Sequence, residues 1–302
     1  PALIKSIFIT TIIFEFTGAA LSFIVFRQDF PLVKAIGVSL FHSVAAFNNS
    51  GFDILGGGKN LIPYQKDVLL NMVTCGLIIC GGIGFLVIRE IWSTTFRWKK
   101  FSMHTKIVLT VTAGLLLSGT LLLKLTENIS WMGAFFNSVS ARTAGFSTYP
   151  LKEFTTPGLM VLIVLMFIGA SPGSTGGGIK TSTFFALIQG IKRGATNHSE
   201  KAFHYAVPEG TFRKAAVITL LALTVVITGT YLMLVMDPYL DLRDALFEIT
   251  SAFGTVGLST GITPTLTDGS KLLSICIMYI GRLGPLTIAS LWHFTSGERV
   301  SY

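Results

Sequence analysis

The sequence predicts an all-α integral membrane protein, built from three tandem units of helix, half-helix, glycine turn and helix around an ion path. Three observations predict it. Of 302 residues, 51% are hydrophobic and 13% charged, with a mean hydropathy of +0.67; soluble domains carry about 25% charged residues. The strings FNNSGF (47–52), ARTAGF (141–146) and FGTVGL (253–258) are variants of one pattern, each between long hydrophobic segments. Positive charge gathers in the loops that join the units.

Six segments read as crossings: 4–26, 68–92, 107–125, 157–190 (interrupted), 215–236 and 272–294. A crossing needs about 20 apolar residues. The runs 32–47, 129–141 and 242–253 are too short and read as half-helices, with Asn128 and Asp241 as N-caps of the last two. The chain starts at Pro1 without Met, and no basic stretch leads to a cleavage site. No signal peptide is expected, and the start reads as that of a fragment or a processed chain. Cys75, Cys80 and Cys276 lie in apolar segments, away from His at ligand spacing, and read as buried free thiols.

The loop 89–106 holds Arg89, Arg97, Lys99, Lys100 and Lys106 against Glu90. The loop 192–214 holds Lys192, Arg193, Lys201, Arg213 and Lys214 against Glu200 and Glu209. On the opposite side of the last unit, Asp237, Asp241, Asp244, Glu248 and Asp268 outnumber Arg243 and Lys271. The positive-inside rule then places both termini and both basic loops in the cytoplasm, and the glycine turns toward the outside. Topology accounts for the net charge of +8, so nucleic acid is not an expected partner.

Aligning Gly51, Gly145 and Gly257, which lie 94 and 112 residues apart, brings out the repeat. Phe41, Phe135 and Phe247 stand ten residues before the glycine; Ala46, Ser140 and Ala252 stand five before; Asn49, Thr143 and Thr255 stand two before. Internal repeats are a common way to build transporters. Backbone polar groups cannot face lipid unpaired, so the turn after each half-helix must line protein or water. An extended turn there aims carbonyls at a dehydrated cation. Glycine supplies the positive φ, and the C-terminal end of the half-helix adds partial negative charge.

The stretches FHSVAAFNNSGFD, FFNSVSARTAGFST, FEITSAFGTVGLSTGIT and GASPGSTGGGIKTSTF make the likeness specific. The chain resembles the Trk/Ktr/HKT superfamily of potassium transporters, most of all a bacterial Ktr-type ion-conducting subunit. The resemblance implies four units around one pore, a homodimer, and a cytosolic nucleotide-binding ring that controls conduction. It implies a multi-pass protein of the bacterial plasma membrane, in the lipid bilayer. Three of the expected four units are present: 1–97, 98–205 and 206–302, matching the family's second, third and fourth. The first is absent, and a three-sided pore leaves its wall unclosed. By the resemblance the selectivity filter comprises Asn48, Asn49, Ser50 and Gly51; Arg142, Thr143, Ala144 and Gly145; and Gly254, Thr255, Val256 and Gly257. Their backbone carbonyls would bind K+, with Na+ as the alternative cargo. No cofactor is expected.

The fourth crossing is broken by GASPGSTGGG (169–178), where Pro172 and five glycines interrupt the helix. Such backbone at membrane depth must line a cavity. The P-loop pattern fails, because Ile179 separates Gly178 from Lys180. The stretch reads as a flexible plug beneath the filter, with a plain hinge as the alternative; the resemblance implies an intramembrane gating loop here. Ser174, Thr175, Gly176, Gly177, Gly178 and Lys180 are its expected gate residues. Arg282, in IGRLGPL, is costly in a membrane and is expected to face the bundle interior. There it either repels cations when the gate is shut or makes a structural pair with a carboxylate, such as Glu15, or with backbone carbonyls. Gly281, Gly284 and Pro285 let its helix bend. Arg142 would block a cation site if it pointed inward, so it is expected to turn away and brace the second turn from behind.

The turns carry no carboxylate at the glycine, which favours a large monovalent ion; Asp53 lies two beyond Gly51 and is placed to gather cations. A membrane enzyme would need clustered nucleophiles and bases, but His42, His104, His198, His204 and His293 are scattered. A secondary carrier and a non-conducting remnant stay as alternatives. The basic loops and 296–302 are candidate contacts for a cytosolic partner.

Overall fold

The structure, a computed structural model, describes residues 2–53, 55–196, 201–202, 205–206 and 210–284. Its described helices are α1 (Ala2–Asp29), α2 (Leu32–Phe47), α3 (Val68–Ile83), α4 (Phe85–Ser93), α5 (Met103–Thr126), α6 (Trp131–Ala141), α7 (Thr156–Phe167), α8 (Thr181–Thr196), α9 (Thr211–Met236), α10 (Leu242–Gly254) and α11 (Asp268–Leu283). A two-residue antiparallel ladder, β1 (Lys201–Ala202) with β2 (Tyr205–Ala206), interrupts the helical pattern and was not foreseen.

One order recurs: a long helix, a half-helix, a turn, and a second helix. The long helices α1, α5 and α9 are each long and apolar enough to cross a membrane. The C-terminal turns of the half-helices α2, α6 and α10 are the shielded parts. Phe47, Phe136, Phe247 and Phe253 on these half-helices are fully buried, while Phe8, Phe16, Leu117, Leu121 and Ile227 on the long helices are exposed. An apolar exterior around a half-buried polar centre suits lipid. There, close packing rather than water exclusion holds helices together. Small residues permit that packing: a Cβ on Gly81 or Gly281 would overlap the carbonyl of Phe47 or Phe253, at the end of the preceding half-helix.

The second helix breaks in the first two units and, in the third, is described only as far as Gly284. The second crossing, expected unbroken over 68–92, bends by 97° between α3 and α4. Gly84 makes the corner with φ 89°, and a Cβ there would press on the Pro172 carbonyl at 3.0 Å. Gly284 ends α11 with φ 89° and ψ 136°, close to the 89° and 150° of Gly84. Pro285, the rest of the sixth crossing and the segment 296–302 lie outside the described residues. In the middle unit the break widens into the loop between α7 and α8, as the glycine run predicts.

Caps correct one expectation. Ser130, not Asn128, caps α6 by accepting from Gly133 N, and Asp241 sits at the start of α10 without a side-chain cap bond. Cys75 is buried, but Cys276 is exposed on α11. In lipid an exposed thiol on an apolar helix loses little, so burial could not be read from hydrophobicity.

Carboxylates at the ends of α1, α5 and α9 staple neighbouring elements. Glu127, at the end of α5, accepts from Thr155 N at 3.0 Å and Thr155 Oγ1 at 2.6 Å; Thr155 is the N-cap of α7. Asp237, at the end of α9, accepts from Thr267 N at 3.2 Å and Thr267 Oγ1 at 3.1 Å; Thr267 is the N-cap of α11. In the first unit Asp29 takes a 2.8 Å bond from Tyr64. Burial and then that carboxylate push the Tyr64 hydroxyl up, so it stays a donor. Gly158 leaves room for the Glu127 carboxylate, which a Cβ would overlap. Glu127→Ala strands two donors and is expected to destabilise the fold by about 1–3 kcal/mol. Gly158→Ala, by displacing the same carboxylate, should destabilise too. The two losses should not add, a double-mutant cycle in thermal unfolding being the check.

Candidate functional site: three glycine turns and the loop packed beneath them

The three turns share one backbone shape. Asn49, Thr143 and Thr255 have φ of 52°, 79° and 50°; Gly51, Gly145 and Gly257 have φ of 62°, 84° and 92°. Left-handed backbone two residues before each glycine is rare for Asn and rarer for Thr. Its occurrence at all three equivalent positions is structural evidence for the repeat. Each turn closes on its half-helix: Ser50 N donates to Ala45 O and Val256 N to Ser251 O, both at 2.9 Å, while Ala144 N and Gly145 N share Ser140 O.

The turns meet backbone to backbone. A Cβ on Gly51 would overlap Ala144 O, and one on Gly145 would overlap Val256 O. A Cβ on Gly257 would have Gly145 Cα as its nearest neighbour, at 3.9 Å. Bare peptide groups from all three units thus crowd one spot. Above them opens a vestibule of about 490 Å³, bounded by Gly51, Gly145, Gly257, Asp53 and Thr260. Between the first and third turns runs a cleft of about 470 Å³, with Ser50 and Phe52 on one wall and Thr255, Ser274 and Met278 on the other.

Each turn is braced differently. Asn48 donates to Glu15 Oε1 at 2.8 Å and to Val44 O at 2.9 Å. Glu15 therefore serves the first turn and is not the partner of Arg282. The amide of Asn49 meets Thr143 Oγ1 at 3.3 Å, linking turns one and two. Arg142 turns away from the centre, buried, and donates to Gly169 O at 2.9 Å. It braces the turn from behind, as its charge requires. Behind the third turn Glu248 accepts from the hydroxyls of Ser259 and Thr263. Charge counting had placed Glu248 only among the outer acidic residues. The missing signal was the hydroxyl pair 11 and 15 residues on. Asp53 lines the vestibule, with Oδ1 accepting from Leu55 N and Gly56 N.

The loop between α7 and α8 lies directly beneath. Its neck is a parallel bridge between Ile168 and Ile179, with Ile179 N donating to Phe167 O at 3.1 Å. A Cβ on Gly178 (φ 69°) would stand 3.1 Å from Gly169 Cα. A Cβ on Gly176 would overlap Thr143 Oγ1, and one on Gly177 would stand 3.0 Å from Gly254 O. The loop's glycines are thus seated under turns two and three. Ties run to both neighbouring units. Ser171 N donates to Gly82 O at 3.1 Å and Thr175 Oγ1 to Gly81 O at 3.5 Å, both at the α3 break. Arg282, from the third unit, donates to Thr175 O. Within the loop Lys180 Nζ holds Gly176 O at 2.6 Å, and Ser174 Oγ holds Ser171 O at 2.6 Å. All the residues expected of filter and gate therefore fall into two adjoining layers.

A family model described as cation transport protein, TrkH, matches residues 2–298. The Ktr system potassium uptake protein B of Vibrio alginolyticus is 38% identical over 268 residues, covering 83% of this chain and 58% of its own length. The potassium/sodium uptake protein NtpJ of Enterococcus hirae is 36% identical, covering 92% of this chain and 64% of its own length. The Ktr system potassium uptake protein B of Bacillus subtilis is 33% identical, covering 99% and 69%. The chain thus spans about three fifths of the first two relatives. The crystal structure of the potassium transporter TrkH from Vibrio parahaemolyticus shares the fold, with a TM-score of 0.72 at 18% identity, covering 91% of this chain and 62% of that one. With the repeats, the turns and the loop matched end to end by one family, this chain belongs to the TrkH family of cation transport proteins.

Proposed function

We propose that the chain forms three sides of a channel-like pore for potassium uptake. The observation that carries this reading is the meeting of three glycine turns, whose peptide groups approach closely enough to exclude a Cβ at Gly51 and Gly145. Carbonyls of Asn48, Asn49, Ser50 and Gly51, of Arg142 to Gly145 and of Gly254 to Gly257 are the proposed cation ligands. Relatives named for potassium uptake support K+ as cargo, and the one named for potassium/sodium uptake supports Na+ as its competitor. The units are 1–97, 98–205 and 206–302. A fourth unit of the same kind fits the cleft between turns one and three, and closes the ring there.

The loop 168–180 is the gate, with Ser174, Thr175, Gly176, Gly177, Gly178, Lys180 and Arg282 holding it shut. The charges of Lys180 and Arg282 lie on the cytoplasmic side of the turns and oppose cations there. Termini and basic loops face the cytoplasm, where a nucleotide-binding ring acts on a dimer of the full-length protein.

The test is uptake. Full-length protein with its cytosolic partners, produced in cells lacking other K+ uptake, should restore growth at low K+ and take up K+ in preference to Na+. Restored growth with slow, saturable countertransport would favour a closed-site carrier, and no K+-dependent uptake at all would end the reading.

A further inference from the structure

Asn60 belongs to the outer loop of the first unit, yet its side chain serves the second turn. Its backbone is left-handed, with φ 48°. Nδ2 donates to the Gly145 carbonyl at 3.3 Å, and Oδ1 accepts from Ser147 N at 3.1 Å. The same Oδ1 accepts from Leu61 N at 2.9 Å, and Leu61 N also reaches Ser147 O at 3.1 Å. The amide therefore bridges the peptide groups on both sides of Phe146. Phe146 is itself fixed. Its ring is buried edge-on against His42, at 5.3 Å, and its carbonyl accepts from Ser140. Among the described residues, the carbonyls of Gly51 and Gly257 receive no such bond.

We propose that Asn60 is a positioning residue for the cation path: its amide hydrogen fixes the direction of the Gly145 carbonyl and so contributes to discrimination among monovalent cations. A carbonyl oxygen has two lone pairs, so one bond to Asn60 leaves the other for an ion. Selectivity of carbonyl sites depends on the number, field strength and freedom of their dipoles. Here one of three equivalent carbonyls is anchored across a unit boundary, and Asn60 itself lines the vestibule through which a cation arrives. The inference rests on the pore reading above.

Asn60→Asp separates positioning from mere fastening. It is nearly isosteric and keeps an acceptor for Ser147 N and Leu61 N. It loses the donor and turns a lone pair toward the Gly145 carbonyl. Its added charge attracts K+ and Na+ alike, so the ratio of their KM values isolates carbonyl geometry. In full-length protein with its partners, reconstituted in vesicles, Asn60→Asp and Asn60→Ala should each lower the Na+/K+ ratio of KM values by about fivefold, the scale of one hydrogen bond. A native ratio in Asn60→Asp, whatever Asn60→Ala does, would overturn the proposal and leave Asn60 as a loop fastener. Unmodified protein without K+-dependent uptake would instead overturn the pore reading, and this proposal with it.

Discussion

Deleting residues 174–178 from the full-length transporter will raise steady-state K+ flux by an order of magnitude or more and leave ion preference in place. The deleted segment contains the glycines seated against Thr143 and Gly254, directly under turns two and three. It also contains Thr175, whose carbonyl takes the Arg282 bond. The Ile168–Ile179 bridge and the Gly169–Gly178 contact form the neck; the bridge lies outside the deletion, so the two ends of the shortened loop can still close on each other. The turns are closed on their own half-helices, so selectivity should survive. Arg282→Ala tests one tie alone. A hydrogen bond to a charged group contributes about 1.5–3 kcal/mol, so its loss shifts a closed-to-open ratio by roughly tenfold or more. The deletion should exceed the point substitution, and both should act in one direction. If correctly folded deletion protein conducts no faster, the loop is a hinge between two half-helices and nothing more.

Much of this layout could be read from the residues. The half-helix α2 falls at the expected 32–47, and α10 overruns its expected end by one residue, at Gly254. Pro31 and the glycine turns punctuate the pattern there, so local chemistry decides the boundary. Arg142 was legible for an electrostatic reason: a guanidinium cannot point into a cation site, and the backbone behind it offers a carbonyl. What stayed hidden depends on partners far along the chain. Gly84 sits in a run of small residues, CGGIG, that reads as an ordinary helix face; the Pro172 carbonyl, 88 positions on, occupies the space a side chain would need. Glu15 could have met Arg282 or Asn48, and only the packing of α1 on α2 chooses. The staples from Glu127 and Asp237 span 28 and 30 residues, with no periodic pattern to betray them. Asn60 is likewise one polar residue in a polar loop until the second turn is laid beside it.

Serine at the three turn glycines will not have equal effects, and the order follows from the space around each. All three have positive φ, which costs a residue with a Cβ about 1–2 kcal/mol. At Gly145 and Gly51 a Cβ would also overlap the carbonyl of a neighbouring turn, Val256 O and Ala144 O. Those carbonyls are themselves proposed ligands, so relief must swing them off the axis. At Gly257 the nearest atom is 3.9 Å away, and the substitution meets strain alone. Gly145→Ser and Gly51→Ser should therefore abolish K+ uptake, with part of the protein failing to assemble. Gly257→Ser should assemble and transport, but with K+ over Na+ preference reduced by about tenfold, because a residue that relaxes out of left-handed backbone rotates its own peptide. Parallel measurements of surface expression, K+ uptake and Na+ uptake resolve the three. Equal loss at Gly145 and Gly257 would mean that the close approach of the turns does not govern conduction. Native selectivity in Gly257→Ser would remove the third turn from the filter.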